Sequence, residues 1–302
     1  MDALSKPCGL SPEEIRRHNN ELMRLFSAYL NVGPAAVGGD TVREIARECR
    51  VSPAEAYALS LAALVGLDAG GADRVFYEYW LKPSVKRLDL APFCTDPYLQ
   101  NVRLPEVARA KWQLTNKTLA PFEAFVCGDP VLTADRRMIP QIGFFEEPYT
   151  YPAVLEDGRE WMTLLPNETL TTRPALEKAH GRVLTYGLGL GYFVYHAAAK
   201  ENVASVTAVD ISPDVIELFR TYILPQLPHP EKVTLVCDDA FRFAETSMAD
   251  NFDFVFADIW HDASDGCDLY LKMKPWEARF PAVTFTYWIE DTLRLYLDPT
   301  LW

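Results

Sequence analysis

A glycine-rich turn is the first feature of this chain whose spacing could support chemistry. An apolar run at residues 183–186 leads into alternating glycines, Gly187, Gly189 and Gly191, and a helical pattern follows at residues 192–200. Glycine has no Cβ, so a ligand can lie directly against backbone N–H groups of the turn and of the helix start. The pattern predicts a cradle for a nucleotide-like molecule, and the alternative is a strand-to-helix crossover without a ligand.

Aspartates follow the next three apolar runs, where each run predicts the end of a strand. Asp210 stands at the separation from the glycines that suits a carboxylate accepting hydrogen bonds from both ribose hydroxyls, and its alternative role is to cap the next helix. Asp239 follows the third run, near the place of an adenine amino group, and Asp258 follows the fourth, facing the reactive end of a ligand. The strand ends therefore predict a single nucleotide site.

The histidine nearest to this site is His261, between Asp258 and Asp262. An imidazole can accept a proton near neutral pH, so His261 is the candidate general base. A histidine salt-bridged to its acidic neighbours is the alternative. The six cysteines are scattered without metal-site spacing, so no metal site is predicted.

Tyr192 distinguishes between kinds of nucleotide. A dinucleotide fingerprint places glycine or alanine three positions after the second glycine, which is the position of Tyr192. Its bulk would obstruct the close packing of helix on strand. The turn instead favours a ligand without a pyrophosphate.

Alternating strand and helix patterns position these residues. Strands are predicted at residues 183–186, 206–209, 233–236, 254–257 and 283–286, with helices at 192–200, 213–224, 240–247, 267–277 and 289–297. Apolar runs separated by helices are typical of strands buried on both faces. The fold class is therefore α/β, a Rossmann-like doubly wound parallel sheet with ligands at the carboxyl ends of its strands.

The preceding sequence predicts two further parts. Residues 1–140 indicate an all-helical N-terminal domain, including a long helix at 104–119, and residues 141–180 indicate a β-hairpin turning at Asp157-Gly158 and a connecting helix. Residues 181–302 then form the nucleotide-binding domain. Residues 41–67 resemble a helix-turn-helix, but the second helix has almost no basic side chains, which favours packing or dimerisation over DNA contact.

Composition limits the partners. A formal net charge of -13 would repel nucleic acid, so a small molecule or a protein is the expected partner, and homodimer formation is left open. The N-terminus has no signal pattern, and the longest apolar stretch, 58–67, is too short to span a bilayer. We expect a cytoplasmic protein without membrane contact.

The glycine turn at 187–191 together with Asp210, Asp239 and Asp258 resembles the class I S-adenosylmethionine-dependent methyltransferases over residues 181–286. The resemblance implies S-adenosyl-L-methionine as the cofactor. The implied cofactor-binding residues are Thr185, Gly187, Gly189, Gly191, Asp210, Ile211, Asp239, Ala240, Phe241 and Asp258, and the implied catalytic residues are Asp258 and His261. Thr185 stands where the family commonly has an acid, so contact with the ligand's amino group would be indirect.

The hairpin and the segment leading into the glycine turn also look like the entry to spermidine synthases, which transfer an aminopropyl group on the same fold. Two departures put that chemistry in doubt. Leu190 replaces an aspartate of their turn, and Asp258 to Asp262 departs from their Asp-x-x-Asp-Pro.

The expected function is that of a transferase, an S-adenosylmethionine-dependent methyltransferase acting on an unidentified small molecule. The first alternative is a spermidine synthase-like aminopropyltransferase. The second is a non-catalytic protein that senses a ligand or binds a partner.

Overall fold

The structure, a computed structural model, describes residues 4–247 and 251–302. The chain forms two compact units, each built from separated segments. The first unit comprises Met1–Ala91, Thr118–Tyr149 and Asp298–Trp302, and the second comprises Pro92–Lys117 and Thr150–Leu297. The contiguous domains 1–140, 141–180 and 181–302 stay a prediction from the sequence.

The α-helices are α1 (Pro12–Val32), α2 (Gly39–Cys49), α3 (Pro53–Leu64), α4 (Arg74–Phe76), α5 (Lys82–Ser84), α6 (Ala91–Cys94), α7 (Pro97–Asn101), α8 (Pro166–Lys178), α9 (Tyr192–Ala199), α10 (Pro213–Leu218), α11 (Ala240–Ser247), α12 (Ala263–Arg279) and α13 (Glu290–Tyr296). Short π-helices occupy Tyr77–Leu81 and Phe219–Ile223, and 3₁₀ turns occupy Leu224–Gln226 and Pro230–Lys232.

The strands are β1 (Val85–Arg87), β2 (Val107–Arg109), β3 (Trp112–Leu119), β4 (Phe125–Val126), β5 (Val131–Leu132), β6 (Met138–Ile139), β7 (Ile142–Phe144), β8 (Tyr149–Glu156), β9 (Arg159–Thr163), β10 (Gly181–Tyr186), β11 (Val203–Asp210), β12 (Val233–Cys237), β13 (Phe254–Ala257) and β14 (Thr284–Tyr287).

The last five strands form one parallel sheet in the order β12-β11-β10-β13-β14. This confirms the predicted α/β class and each of the five predicted strands, and the order is that of a Rossmann-like fold. The chain order reverses between β10 and β13, and in such sheets a crevice opens at that point, beyond the carboxyl ends of the strands. All four residues of β13 are buried, as expected of a strand covered on both faces.

A second sheet has the order β2-β3-β8-β9. Strands β8 and β9 are antiparallel and turn at Asp157 and Gly158, whose φ angles are +49° and +78°, so the predicted hairpin is confirmed. Two successive positive φ angles suit the two-residue turns that match the twist of a hairpin. The hairpin brings side chains of β9 into the second unit's cavity.

The long helix predicted at residues 104–119 is wrong. This segment forms β2 and β3, which pair as an antiparallel hairpin. Trp112 and Leu114 are buried while Gln113 and Thr115 between them are only half-buried, a period of two that belongs to a strand. The mixed polar residues of the segment concealed this alternation.

The prediction that residues 1–140 are all helical is also wrong. Helices dominate the first unit, but β1, β7 and β4 form a three-stranded sheet there, and β5 pairs with β6. Strands of two or three residues are too short to show a period in sequence. The core of this unit contains Trp80 and Tyr57, and the Tyr57 hydroxyl lies 2.6 Å from that of Tyr29.

Helix α3 is the second helix of the helix-turn-helix resemblance. Half of its residues are buried, namely Ala56, Tyr57, Ala58, Ser60, Leu61 and Ala62. All of them except Ser60 pack into the hydrophobic core of the first unit, and because all six are buried they are not presented to a groove of DNA. Within residues 4–247 and 251–302, no helix combines the length and apolar character that crossing a membrane requires.

Candidate functional site

A cavity of about 740 Å³ lies at the carboxyl ends of the central strands of the second unit. The turn after β10 and the ends of β11, β12 and β13 supply one part of its lining, and β3, β8, β9 and α8 supply another. Residues of the predicted site that line it are Gly187, Gly189, Asp210, Ile211, Asp239, Ala240, Phe241, Asp258 and His261. The structure thus brings together residues from four strand ends, as parallel strands require.

Gly187 has a structural reason to be glycine. Its φ is +92°, and a Cβ added there would lie 1.9 Å from the carbonyl oxygen of Asp258. No side chain fits between these two backbone segments. Gly187 therefore allows the end of β10 to lie against the end of β13, which brings Asp258 to the cavity.

Thr185 and Gly191 support the turn and are not among the residues that line the cavity. Thr185 is 1% exposed, and its hydroxyl donates a hydrogen bond to the carbonyl oxygen of Gly187 at 3.3 Å. A Cβ at Gly191 would lie 2.1 Å from the ring of Phe219. Their predicted contact with a cofactor would thus be indirect.

Asp210 accepts hydrogen bonds from two backbone N–H groups, from Leu188 at 3.1 Å and from Ser212 at 2.8 Å. Burial raises the pKa of this carboxyl, and the two hydrogen bonds oppose the rise. The capping role is performed by the Ser212 hydroxyl, which accepts from the Val215 N–H at the start of α10. Asp210 therefore links the glycine turn to the end of β11 while lining the cavity.

Asp239 caps α11. Its Oδ1 accepts hydrogen bonds from the N–H groups of Phe241 and Arg242, each at 3.0 Å. Its Oδ2 has no hydrogen-bond partner among the residues that the structure describes, and the following Ala240 and Phe241 also line the cavity. One oxygen thus fixes the carboxyl, and the other is available to a ligand.

Asp258 and Glu168 form an acidic pair in the cavity wall. Burial raises the pKa of Asp258 to about 7. Burial also raises the pKa of Glu168, and the charge of Asp258 raises it further. Glu168 lies in the first turn of α8. An acid is common there because it stabilises the positive end of the helix, so this position in the sequence does not by itself indicate a functional residue.

His261 is bonded to Asp265, not to the two acids that the sequence placed beside it. Its Nδ1 lies 3.0 Å from Oδ2 of Asp265, and its exposed ring meets the edge of Trp161 at 4.0 Å between centroids. Asp262 instead caps α12 through the N–H of Ser264. His261 lines the cavity but shares no hydrogen bond with Asp258.

Aromatic side chains form much of the remaining wall of the cavity. Trp112 and Trp161 meet edge to face at 5.2 Å. Trp260 and Trp288 also line the cavity, and the indole N–H of Trp288 is bonded to the hydroxyl of Thr171. Aromatic faces attract cations, most strongly where water is excluded.

Carboxylates in the cavity lining fall into two sets. Four are ion-paired, in the pairs Lys111–Glu156, Lys117–Glu160, Arg109–Asp214 and Arg242–Asp238. The others, which have no cationic partner within the described residues, are Glu168, Asp210, Asp239 and Asp258. The interior of the cavity therefore favours a positively charged ligand. In the part of the chain that the structure describes, no three His, Cys, Asp or Glu side chains group as a metal site.

No sequence model of a known family matches the chain, and no curated protein matches it significantly. Among solved structures, the crystal structure of spermidine synthase from Thermotoga maritima is similar over 48% of this chain, with 14% sequence identity and a TM-score of 0.34. The match covers 54% of that chain, so this chain spans about half the length of that enzyme. What the cavity binds has to follow from its own residues.

Proposed function

We propose that the protein is a transferase that binds a sulfonium nucleoside of the S-adenosylmethionine type and transfers an alkyl group to a small-molecule acceptor. The observation that carries this proposal is the meeting of Gly187, Asp210, Asp239 and Asp258 in one cavity at four strand ends. Asp210 suits a ribose and Asp239 an adenine amino group. The negative interior suits a sulfonium cation.

Methyl transfer from S-adenosyl-L-methionine is the first candidate reaction. The lone pair of the acceptor attacks the methyl carbon, and the carbon–sulfur bond breaks with its electrons remaining on sulfur, which becomes a neutral thioether. Alignment and exclusion of water are the main requirements. For an acceptor that enters as an ammonium ion, the ionised Asp258 would take the proton, with a pKa of about 7 that suits a base near neutral pH.

Aminopropyl transfer from decarboxylated S-adenosylmethionine is the second candidate. It is favoured by the lack of an unpaired Lys or Arg in the cavity lining among the described residues. Lys111 is the one Lys or Arg that lines the cavity among the described residues, and it is paired with Glu156. The carboxylate of S-adenosylmethionine would therefore find no unpaired cation. The decarboxylated donor has no carboxylate to satisfy.

Isothermal titration with S-adenosylhomocysteine tests nucleoside binding. We expect wild-type protein to bind, and Asp210→Asn to weaken binding by about tenfold because a charged hydrogen-bond acceptor is lost. Asp214→Asn is the matched control, since Asp214 also lines the cavity but is paired with Arg109, and it should change binding less than twofold, about the spread of neutral surface substitutions. The proposal is contradicted if wild-type protein binds neither S-adenosylhomocysteine nor 5′-methylthioadenosine, which lacks the carboxylate, at millimolar concentration.

Product analysis then separates the two reactions. The enzyme is supplied with S-adenosylmethionine and a panel of small amines, and in parallel with decarboxylated donor and putrescine. Methylated products support the first candidate, and spermidine supports the second. Binding of the nucleoside without either product would indicate the non-catalytic alternative.

A further inference from the structure

Met162 of β9 lies directly on the glycine turn. The thioether sulfur accepts a hydrogen bond from the Leu190 N–H at 3.1 Å. A Cβ added at Gly189, whose φ is +48°, would lie 2.0 Å from that sulfur. The missing side chain of Gly189 therefore makes room for Met162, in the wall of the candidate site.

The other N–H groups of the turn are almost all engaged. Gly187 donates to the Val209 carbonyl at 2.9 Å, Leu188 donates to Asp210, and Gly191 donates to the Leu188 carbonyl at 2.8 Å. The N–H of Gly189 has no partner in residues 4–247 or 251–302. The turn thus offers a ligand one open donor and one donor held by a thioether, which is a weak acceptor.

Among the N–H groups of the turn, only these two could bind a carboxylate of the ligand. Lys111, the one Lys or Arg in the cavity lining among the described residues, is already paired with Glu156, and the ionised form of Asp258 would repel an anion. An ionised oxygen is a much stronger acceptor than a thioether. To reach the N–H of Leu190, however, the carboxylate has to displace the Met162 side chain from the surface of Gly189.

We propose that Met162 is a specificity-determining residue that disfavours nucleosides bearing a carboxylate relative to those without one. The inference rests on the proposed function, because it concerns the end of the ligand that carries the transferred group. The nucleoside end, held at Asp210 and Asp239, is unaffected by Met162. The Met162 side chain therefore changes the ratio between the affinity for a nucleoside with a carboxylate and the affinity for one without it. It leaves the affinity for the nucleoside part that both ligands share unchanged.

Titration with two probes tests this ratio. S-adenosylhomocysteine has the carboxylate, and 5′-methylthioadenosine has the same nucleoside thioether without it. Met162→Ala should raise the affinity for S-adenosylhomocysteine about tenfold relative to 5′-methylthioadenosine, the effect of one hydrogen bond to a charged group. Met162→Leu keeps the volume but removes the acceptor, so it should give a smaller rise in the same direction. Arg159→Ala, also on β9 but exposed and outside the cavity lining, is the control and should leave the ratio unchanged.

The outcomes separate the inference from the function on which it rests. If both probes bind and neither Met162 variant changes the ratio of affinities by more than about twofold, well under the effect of one hydrogen bond, Met162 does not set specificity. If neither probe binds to wild-type protein or to any variant, the proposed function is wrong and the inference falls with it. Thermal melting of each variant shows whether it is folded, and Met162→Leu provides the readout if Met162→Ala is not.

Discussion

Replacing Asp258 by Asn should change how the stability of the protein depends on pH. In the unfolded chain this carboxyl ionises at its ordinary pKa of 3.8, whereas in the folded protein burial raises the pKa to about 7. The folded state therefore binds the proton more tightly, and the stability that the protonated group contributes is lost as the pH rises through about 7. A rise of about three units corresponds to about 4 kcal/mol at full ionisation. Asn carries no charge and avoids this loss.

The measured quantity is the free energy of unfolding in urea at several pH values, followed by the fluorescence of tryptophans near the cavity. The excess stability of Asp258→Asn over wild-type protein should grow by about 2–3 kcal/mol between pH 5 and pH 8. Asp253→Asn is the control, because the pKa of Asp253 is shifted in the opposite direction. Arg182 holds this pKa at about 2, so the stability that the ionised Asp253 contributes is lost only in strong acid. Its difference from wild-type protein should stay constant over this range. A constant difference for Asp258→Asn as well would refute the burial of an ionisable Asp258.

Three further substitutions test other parts of the structure. Gly187→Ala should cost about 3 kcal/mol or more, because the new Cβ meets the Asp258 carbonyl at a positive φ, and near-wild-type unfolding in urea would contradict this packing. Tyr57→Phe should lower the free energy of unfolding by about 1–2 kcal/mol, because it removes hydrogen bonds to the Tyr29 hydroxyl and the Phe122 carbonyl, and an unchanged denaturation midpoint would argue against that network. His261→Asn should change turnover less than about threefold, far below the effect of losing a general base, because His261 is exposed and bonded to Asp265. A hundredfold loss of turnover would instead support a catalytic role for His261.

The parallel sheet could be predicted because its signal is local. Each strand is a short apolar run, and glycine or aspartate stands at the carboxyl end of the first four, β10 to β13. The ends of β11 and β13 fall at Asp210 and Ala257, next to the residues that the sequence proposed for the site. The separation between Gly191 and Asp210 carried most of the prediction of a nucleoside site.

The rest of the cavity could not be predicted, because it depends on contacts between distant segments. Trp112 and Met162 line the cavity only because β3 and β9 belong to one sheet, and the pairing of β3 with β8 leaves no mark in a single sequence. Glu168 lies in the first turn of α8, where an acid is common without any functional role. From proximity in sequence, the expected partners of His261 are Asp258 and Asp262. Its actual partner, Asp265, comes close because it lies in the first turn of α12.

The segmented composition of the first unit affects the order in which the protein can fold during synthesis. Leu301 is fully buried, its carbonyl accepts a hydrogen bond from Asn19, and Asp298 is paired with Arg136. Residues 150–297, which belong to the second unit, leave the ribosome before this segment does. The first unit therefore forms these contacts last. The contact between Asn19 and Leu301 closes a loop of more than two hundred residues, and such non-local closure slows folding. Until then the side chain of Leu301 lacks the burial that the folded unit gives it.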